Sequence, residues 1–383
     1  MRTSNLDTSL RMVEPTAASV SSERLMSLDA LRGFAMLWIV GAQEIVFGLH
    51  KAEGTKLPIY LLVKQLSHST WDGVTFYDLI FPLFIVVVGI SITLSLTRRL
   101  GREQRSGIVW TIARRSIVLY FLGIVYYGGL AKGLSDVRLL GVLQRIALCY
   151  LVCGLIFCYV KHRYLIFISV AILLIYWAMM AFIPVPGIGA GNFQEEANLA
   201  NYIDREFLPL KKWRGDYDPE GLLSTIPAIA TCLFGVFFGL VINAQNFSKQ
   251  SKSYLLLCLS VILIFLGLVW SIHFPLIKKI WTSSFALVAA GSSGLFLAIF
   301  YYLVEVWQVQ KWAVPLVWVG ANPIVIYLLN GLVDMRGLAE RMVGGPVKSA
   351  FGVYGDLFIA LVILLMNIVA SRFLFRRRIF LRI

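Results

Sequence analysis

Long apolar stretches alternate with short polar segments along almost the whole chain. Each stretch runs for roughly 18 to 24 residues, which is enough to cross a bilayer about 30 Å thick as a helix. No internal repeat stands out among them. The pattern predicts ten spans, at residues 28–49, 74–96, 112–131, 139–160, 164–184, 221–243, 253–271, 283–305, 312–333 and 351–374. We therefore expect an all-α fold, a polytopic membrane helix bundle with about ten transmembrane helices.

The remaining polar segments suggest a simple domain organisation. Residues 1–24 form a polar tail without an apolar core, so we expect no cleavable signal peptide and a retained first span. Residues 25–383 then form a single transmembrane domain. Its longest loop, at about 185–220, carries most of the acidic loop residues.

Composition agrees with a membrane protein and locates the charge. The chain of 383 residues is 58% hydrophobic and 15% charged, with a net charge of +14. Arginines cluster between spans two and three and again at the C-terminus, namely Arg98, Arg99, Arg102, Arg105, Arg114, Arg115, Arg372, Arg376, Arg377, Arg378 and Arg382. This placement predicts cytoplasmic loops of a cell inner membrane protein rather than a nucleic-acid surface. Both termini are then cytoplasmic, and the 185–220 loop is exoplasmic.

The cysteines indicate neither disulfides nor a metal site. All five cysteines fall inside apolar spans, so a disulfide framework is not expected. Their spacing matches no metal site, and we expect no bound metal. The chain also lacks a glycine-rich phosphate loop.

One of the four histidines lies at a predicted membrane boundary. His68 precedes the second span and is followed by Trp71, then by Asp78 and a Phe81-Pro82 break within that span. Histidine exchanges a proton near neutral pH, which suits general acid–base work. An interfacial histidine wetted by headgroups, beside an ordinary proline kink, explains the same pattern. We take His68 as the candidate catalytic residue, with Asp78 beside it.

Further polar residues interrupt the other spans, and Gly320-Ala321-Asn322-Pro323 splits the ninth. Charged and amide side chains deep in a bilayer are costly unless they are paired or line a cavity. Each has an ordinary structural explanation, such as an interfacial ion pair or a helix back-bond. Together they suggest a shared hydrophilic cavity. The residues are Asp29, Arg32, Gln43, Glu44, Gln144, Arg145, Trp281, Ser284 and Asn322.

A dense polar motif, Asp218-Pro219-Glu220-Gly221, precedes the sixth span. Asp218 is predicted to cap a helix whose first residue is Pro219, with Glu220 in its first turn. The two carboxylates lie on the same side as His68. They could also bind a cationic or hydroxyl-rich substrate.

These motifs resemble the transmembrane heparan-α-glucosaminide N-acetyltransferase family. The similar segments are Ser27 to Gly33, His68 to Gly89, Gly141 to Arg145, Asp218 to Gly221, Trp281 with Ser284, and Gly320 with Asn322. They occur in order over about residues 24–330. The chain resembles most closely a bacterial branch of NagX-like membrane proteins. It has Gln43 roughly where the family has a partner asparagine.

The resemblance implies a membrane enzyme, often a homodimer, that passes an acetyl group from cytoplasmic acetyl-CoA to the amino group of a glucosamine. The catalytic histidine of the family corresponds to His68. We expect Gln43 and either Asp78 or Glu44 to assist it, and Trp71, Asp218 and Glu220 to bind the amino-sugar or glycan acceptor. The predicted acetyl-CoA site comprises Arg24, Asp29, Arg32, Arg98, Arg99, Arg115, Gln144, Arg145, Trp281, Ser284 and Asn322.

Two other readings of the pattern remain open. Interrupted helices and polar groups within the membrane also suit a transporter for amino sugars. The lack of a visible inverted repeat counts against it. A membrane scaffold without chemistry is the third alternative.

Overall fold

The computed structural model describes residues 25–53, 56–131 and 133–381. This part of the chain is built from α-helices and short helical turns and contains no named β-strand. The predicted all-α bundle is confirmed. The helices are α1 Met26–Glu53, α2 Leu57–Leu66, α3 Ile80–Leu100, α4 Arg105–Tyr126, α5 Val142–Tyr159, α6 Leu165–Phe182, α7 Leu199–Phe207, α8 Thr225–Asn243, α9 Lys249–Trp270, α10 Ser283–Tyr301, α11 Val314–Gly320, α12 Pro323–Leu332, α13 Met335–Val343, α14 Pro346–Ala350 and α15 Gly355–Arg376.

Nine helical segments in the described residues are long and apolar enough to cross a membrane. The predicted span at 312–333 is split where the sequence indicates, into two helices, Lys311–Gly320 and Pro323–Leu332, which are bent by 64° relative to each other. Asn322 lies at the bend with a non-helical backbone, because a residue before proline is disfavoured in the helical region. Counting the bent pair as one span gives the ten that the sequence predicts.

Several boundaries differ from the prediction. The third span begins at Arg105 rather than at residue 112, so Arg114 and Arg115 lie within a helix. Long arginine side chains allow this, since their alkyl stems pack on apolar surface while the head group reaches water. The structure also adds short helices between spans, α2, α7, α13 and α14, which are too short for a pattern search based on membrane-spanning length.

Close backbone contact joins the two most buried spans, α3 and α8. A Cβ added at Gly89 would lie 2.0 Å from the carbonyl oxygen of Cys232, and one added at Gly235 would lie 2.1 Å from that of Val86. Small residues at such a crossing let two membrane helices approach closely. The crossing holds α3, and the turn that precedes it, at the centre of the bundle.

The bundle has two distinct ends. At one end, which we call the His68 face, the loops 67–79, 127–141, 183–224 and 271–282 meet. Hydrogen bonds between them include Trp71 Nε1 to the Phe193 carbonyl at 2.9 Å and the Gly73 amide to the Leu276 carbonyl at 2.9 Å. α3 and α15 both run away from this face, so their arginine-rich C-terminal ends lie at the opposite end, which we call the arginine face.

Candidate active site

His68 lies at the centre of a charged triad on the His68 face. Its Nδ1 is 2.8 Å from Oδ1 of Asp78 and 2.9 Å from Nζ of Lys278. Lys278 Nζ is also 3.3 Å from Asp78 Oδ1. The imidazole stacks on the ring of Tyr77 with a centroid distance of 4.6 Å and is half exposed. The triad therefore joins an accessible imidazole to a buried carboxylate and an amine.

Asp78 is completely buried, and its second oxygen is held by the preceding turn. Oδ2 accepts hydrogen bonds from the amide of Ser69 at 3.1 Å, the amide of Thr75 at 3.2 Å and Oγ1 of Thr75 at 3.0 Å. Three donors on one oxygen fix the carboxylate in orientation. Oδ1 remains for His68 and Lys278.

The expected proline break is absent at this point. α3 begins at Ile80, so Pro82 lies in its first turn and no helix is interrupted there. Amides of the first turn have no intrahelical acceptor, which is why proline is tolerated. The polar site arises from the turn before the helix, not from a carbonyl freed by a kink.

A cavity of about 420 Å³ opens beside the triad. Five residues singled out from the sequence line it, namely Gln43, His68, Asp78, Glu220 and Trp281. The other lining residues come from distant parts of the chain and are Ser69, Tyr126, Tyr127, Arg138, Val142, Trp213, Arg214, Pro219, Lys278, Lys279, Tyr327 and Gly331. The cavity is thus bounded by aromatic rings and by charged groups around one accessible histidine.

Arg138 anchors the far wall of the cavity. Its guanidinium donates to both oxygens of Asp218, at 2.7 and 2.6 Å, and to Oε2 of Glu220 at 2.6 Å. It also lies over the rings of Tyr127 and Trp213, at 4.3 and 5.0 Å from their centroids. Burial alone would lower the pKa of Arg138, but the paired carboxylates raise it above its ordinary value.

The predicted cap at Asp218 is not observed. The next helix, α8, begins only at Thr225, and residues 218–221 form a turn. Asp218 instead accepts hydrogen bonds from Arg138 and from the amides of Trp213 and Glu220. Its carboxylate is fully buried. Asp218 does not line the cavity, whereas Glu220 does, and a role of Asp218 in substrate binding stays a prediction.

Asp204 holds the same loop through hydrogen bonds to its backbone amides. Its carboxylate accepts hydrogen bonds from the amides of Asp218 at 3.2 Å and Leu222 at 2.8 Å. Burial raises the pKa of Asp204 to about 6, against the opposing effect of these two amides. The loop that carries Glu220 is consequently held on both sides.

Other predicted residues on the His68 face lie outside this cavity. Glu44 pairs with Arg336 at 2.6 Å in an adjoining cavity of about 240 Å³, which shares Gln43, Tyr126 and Tyr327 with the first. Trp71 lines a separate open groove on the 185–194 loop. Neither contacts the His68 ring among the described contacts.

Several side-chain N–H groups that were expected to bind the acyl donor already donate hydrogen bonds to other parts of the protein. Gln144 donates to the Arg138 carbonyl at 3.3 Å, and Asn322 donates to the Ile379 carbonyl at 2.8 Å. The indole N–H of Trp281 donates to Oγ1 of Thr231 at 3.1 Å. A thioester oxygen would have to compete with these bonds.

Two further members of that predicted set are buried near the cavity without lining it. Arg145 is fully buried, donates to the Pro219 carbonyl and to Ser224, and lies 4.9 Å from the Trp281 ring centroid. Ser284 Oγ donates to the Phe274 carbonyl at 2.5 Å. Both brace the walls of the cavity.

The remaining described residues predicted to bind acetyl-CoA lie towards the arginine face. Arg32 pairs with Asp29 at 2.9 Å and donates to Ser91 at 2.9 Å. Arg99 pairs with Glu103 at 2.7 Å. Arg98 is exposed, Arg115 is half-buried, and Arg24 lies outside the described residues. The structure does not bring this group together with His68, so it stays a prediction.

Sequence reasoning missed Lys278 and Arg138. Lys278 lies in the short loop between two spans, three residues before Trp281, and Arg138 immediately precedes the fourth predicted span. A basic residue beside an apolar span usually indicates only an interface. The signal that could have found them was their position near the motif residues Trp281 and Gln144.

Comparison with known proteins agrees with the sequence motifs. Residues 24–200 match the family model described as "Domain of unknown function (DUF5009)". The chain is 26% identical over 376 residues to heparan-alpha-glucosaminide N-acetyltransferase of Mus musculus, and 27% identical over 379 residues to that of Homo sapiens. Each alignment covers 82% of this chain. The chain is a distant relative of these acetyltransferases.

The alignments cover only part of each relative's length. The chain spans about half the length of the two curated relatives, at 54% of each. The similarity supports the family that the motifs indicate. The NagX-like branch and a homodimer stay predictions.

Proposed function

We propose that the protein is a membrane acetyltransferase that uses His68 to pass an acetyl group from acetyl-CoA to the amino group of an amino sugar or glycan. The observation that carries the proposal is the pairing of half-exposed His68 with fully buried Asp78, beside a cavity in a chain similar to known N-acetyltransferases. A carboxylate that accepts from Nδ1–H leaves the Nε2 lone pair as the available base.

The chemistry balances with the groups present. The neutral acceptor amine attacks the thioester carbonyl, a C–N bond forms and the C–S bond breaks. His68 Nε2 takes the proton from the amine and returns it to the departing thiolate of coenzyme A. In the alternative route, Nε2 itself takes the acetyl group first, releases coenzyme A, and then passes the acetyl group to the amine.

A thioester delivered from the opposite side would pass a small apolar cavity of about 10 Å³ inside the bundle. It is lined by Met36, Ile39, Phe81, Phe84, Val142, Leu143, Ile146, Ile324 and Tyr327. Val142 and Tyr327 also line the His68 cavity, so the two cavities adjoin. The surrounding helices would have to separate to admit the pantetheine arm, with the phosphates of coenzyme A held at the arginine face.

This route requires a defined topology. We expect the arginine face, with both chain termini, to be cytoplasmic because its arginines obey the positive-inside rule. Reporter fusions at residues 1 and 383 should both give a cytoplasmic signal. Signals on opposite sides would show an odd number of membrane crossings and contradict this arrangement of the helices.

A transporter is the second candidate, because the bent pair α11–α12 contributes Tyr327 and Gly331 to the cavity. Broken helices beside a polar cavity are typical of transporters. One experiment separates the two functions. Purified protein with labelled acetyl-CoA and glucosamine should form N-acetylated product, whereas a transporter reconstituted in liposomes accumulates labelled glucosamine without acetyl-CoA.

The form of the product also separates the two chemical routes. Protein incubated with acetyl-CoA alone gains one acetyl group on His68 only if the imidazole is an acetyl carrier. Uptake without any acetylated product, in protein that retains its fold, would replace the acetyltransferase by the transporter.

A further inference from the structure

Lys278 competes with His68 for one carboxylate oxygen. Its Nζ lies 3.3 Å from Asp78 Oδ1, 2.9 Å from His68 Nδ1 and 3.5 Å from His68 Nε2. We propose that Lys278 is a positioning residue which, as a cation paired with Asp78, keeps His68 neutral so that its imidazole remains a base or nucleophile. This inference rests on the proposed function for its catalytic meaning, but its geometry stands by itself.

Nδ1 of His68 can make one hydrogen bond at a time. A ring nitrogen either donates its proton or accepts one, so Nδ1 cannot donate to Asp78 and accept from Lys278 at the same time. If Nδ1–H donates to Asp78, Nε2 is free and Lys278 bonds to the carboxylate. If Lys278 donates to Nδ1, the proton lies on Nε2 and the ring is no longer a base there.

Charge decides the protonation of the ring. Asp78 by itself would stabilise an imidazolium, as carboxylates do for paired histidines. A lysine cation already paired with Asp78 cancels that effect, and its own charge lies within 3 Å of Nδ1. A positive charge at this distance opposes a second positive charge on the ring, although a carboxylate is in direct contact with it.

The other charged groups around the cavity are largely neutralised. Arg138 is paired with Asp218 and Glu220, and Lys279 with Glu195 at 3.1 Å. The titratable and charged groups that face His68 from all lining elements are Tyr77, Asp78, Tyr126, Tyr127, Arg138, Arg214, Glu220, Lys278, Lys279 and Tyr327. In the described contacts of these groups, Lys278 is the basic side chain that lies within hydrogen-bond distance of the His68 ring.

The loop around Lys278 is held firmly enough for such a role. The Ile277 amide donates to Thr282 Oγ1 at 3.1 Å, and the Thr282 hydroxyl donates to the Pro275 carbonyl at 2.8 Å. The Lys278 side chain is only 16% exposed. Burial lowers the pKa of Lys278, and contact with Asp78 counteracts that effect.

The test measures protonation of His68 without requiring activity. Diethylpyrocarbonate modifies neutral imidazole, so the extent of His68 modification against pH, read by peptide mass spectrometry on the full chain in detergent, gives a titration midpoint. In Lys278→Met we expect this midpoint to rise by about one pH unit, because Asp78 then acts on the imidazolium alone. Lys278→Arg, which keeps the charge, should remain near the wild type.

The controls are internal to the chain. His50 and His273 are exposed, so their modification should be the same in all variants, and folding is verified separately by the Tm in detergent. If Lys278→Met does not fold, Lys278→Gln carries the same expected rise. A midpoint that stays unchanged or falls on neutralising Lys278 overturns the inference. If the midpoint rises in Lys278→Met but the wild-type protein transfers no acetyl group, the proposed function is refuted and this inference stays intact.

Discussion

Replacement of His68 by alanine is expected to lower acetyl transfer by about two to four orders of magnitude, which is the usual loss when a general base is removed. The loss is expected because His68 is the accessible imidazole at the cavity and its Nδ1 is held by buried Asp78 at 2.8 Å. The measurement is the rate of N-acetylglucosamine formation from acetyl-CoA and glucosamine by purified protein. If His68 carries the acetyl group, the loss reaches the limit of detection.

The matched control is His273→Ala. His273 is exposed in the loop 271–282 on the same face, so the substitution removes an imidazole from that surface without touching the triad. It should leave the rate unchanged. Wild-type activity in His68→Ala, or an equal loss in His273→Ala, would rule out the catalytic assignment.

Replacement of Arg138 by glutamine is expected to produce the largest loss of stability, about 3–5 kcal/mol of unfolding free energy, as is typical when one partner of a buried ion pair is removed. The Arg138 side chain is 5% exposed and that of Asp218 is 0% exposed. The variant leaves Asp218 as a buried carboxylate without its cation. We expect a lower Tm in detergent and a lower midpoint in a denaturant titration.

An exposed ion pair that joins the same two loops supplies the control. Lys211 lies 3.0 Å from Asp136, and both side chains are exposed by more than two fifths. Surface pairs of this kind contribute about 0–1 kcal/mol, so Lys211→Gln should leave Tm almost unchanged. Equal effects of the two variants would show that burial of the Arg138 cluster is not what stabilises the face.

Spans with uninterrupted apolar sequence were predictable because membrane length and hydropathy define them locally. α8 and α10 begin within a few residues of their predicted positions. The break between α11 and α12 was predicted, because Gly320-Ala321-Asn322-Pro323 splits that span, but the 64° bend was not. Proline predicts a boundary, but the angle depends on which neighbours pack against each half.

In the candidate site, too, some features follow from neighbouring residues and others from distant contacts. His68 and Asp78 are ten residues apart, and the intervening turn by itself brings them together, since Ser69 and Thr75 donate to Asp78. Pro82 was misread as a break because the sequence does not tell a first helical turn from the interior of a span. Asp218 was misread as a cap because its partner Arg138 lies eighty residues earlier.

The sequence by itself determined the membrane-spanning architecture, the asymmetry of arginine between the two faces, and the His68–Asp78 turn, because each depends on local composition or on neighbouring residues. Only the tertiary structure decided which cations join that turn. Lys278 lies 210 positions from His68, and it reaches the ring because the loops on that face converge. Such a contact follows from packing of whole helices, which no local periodicity records.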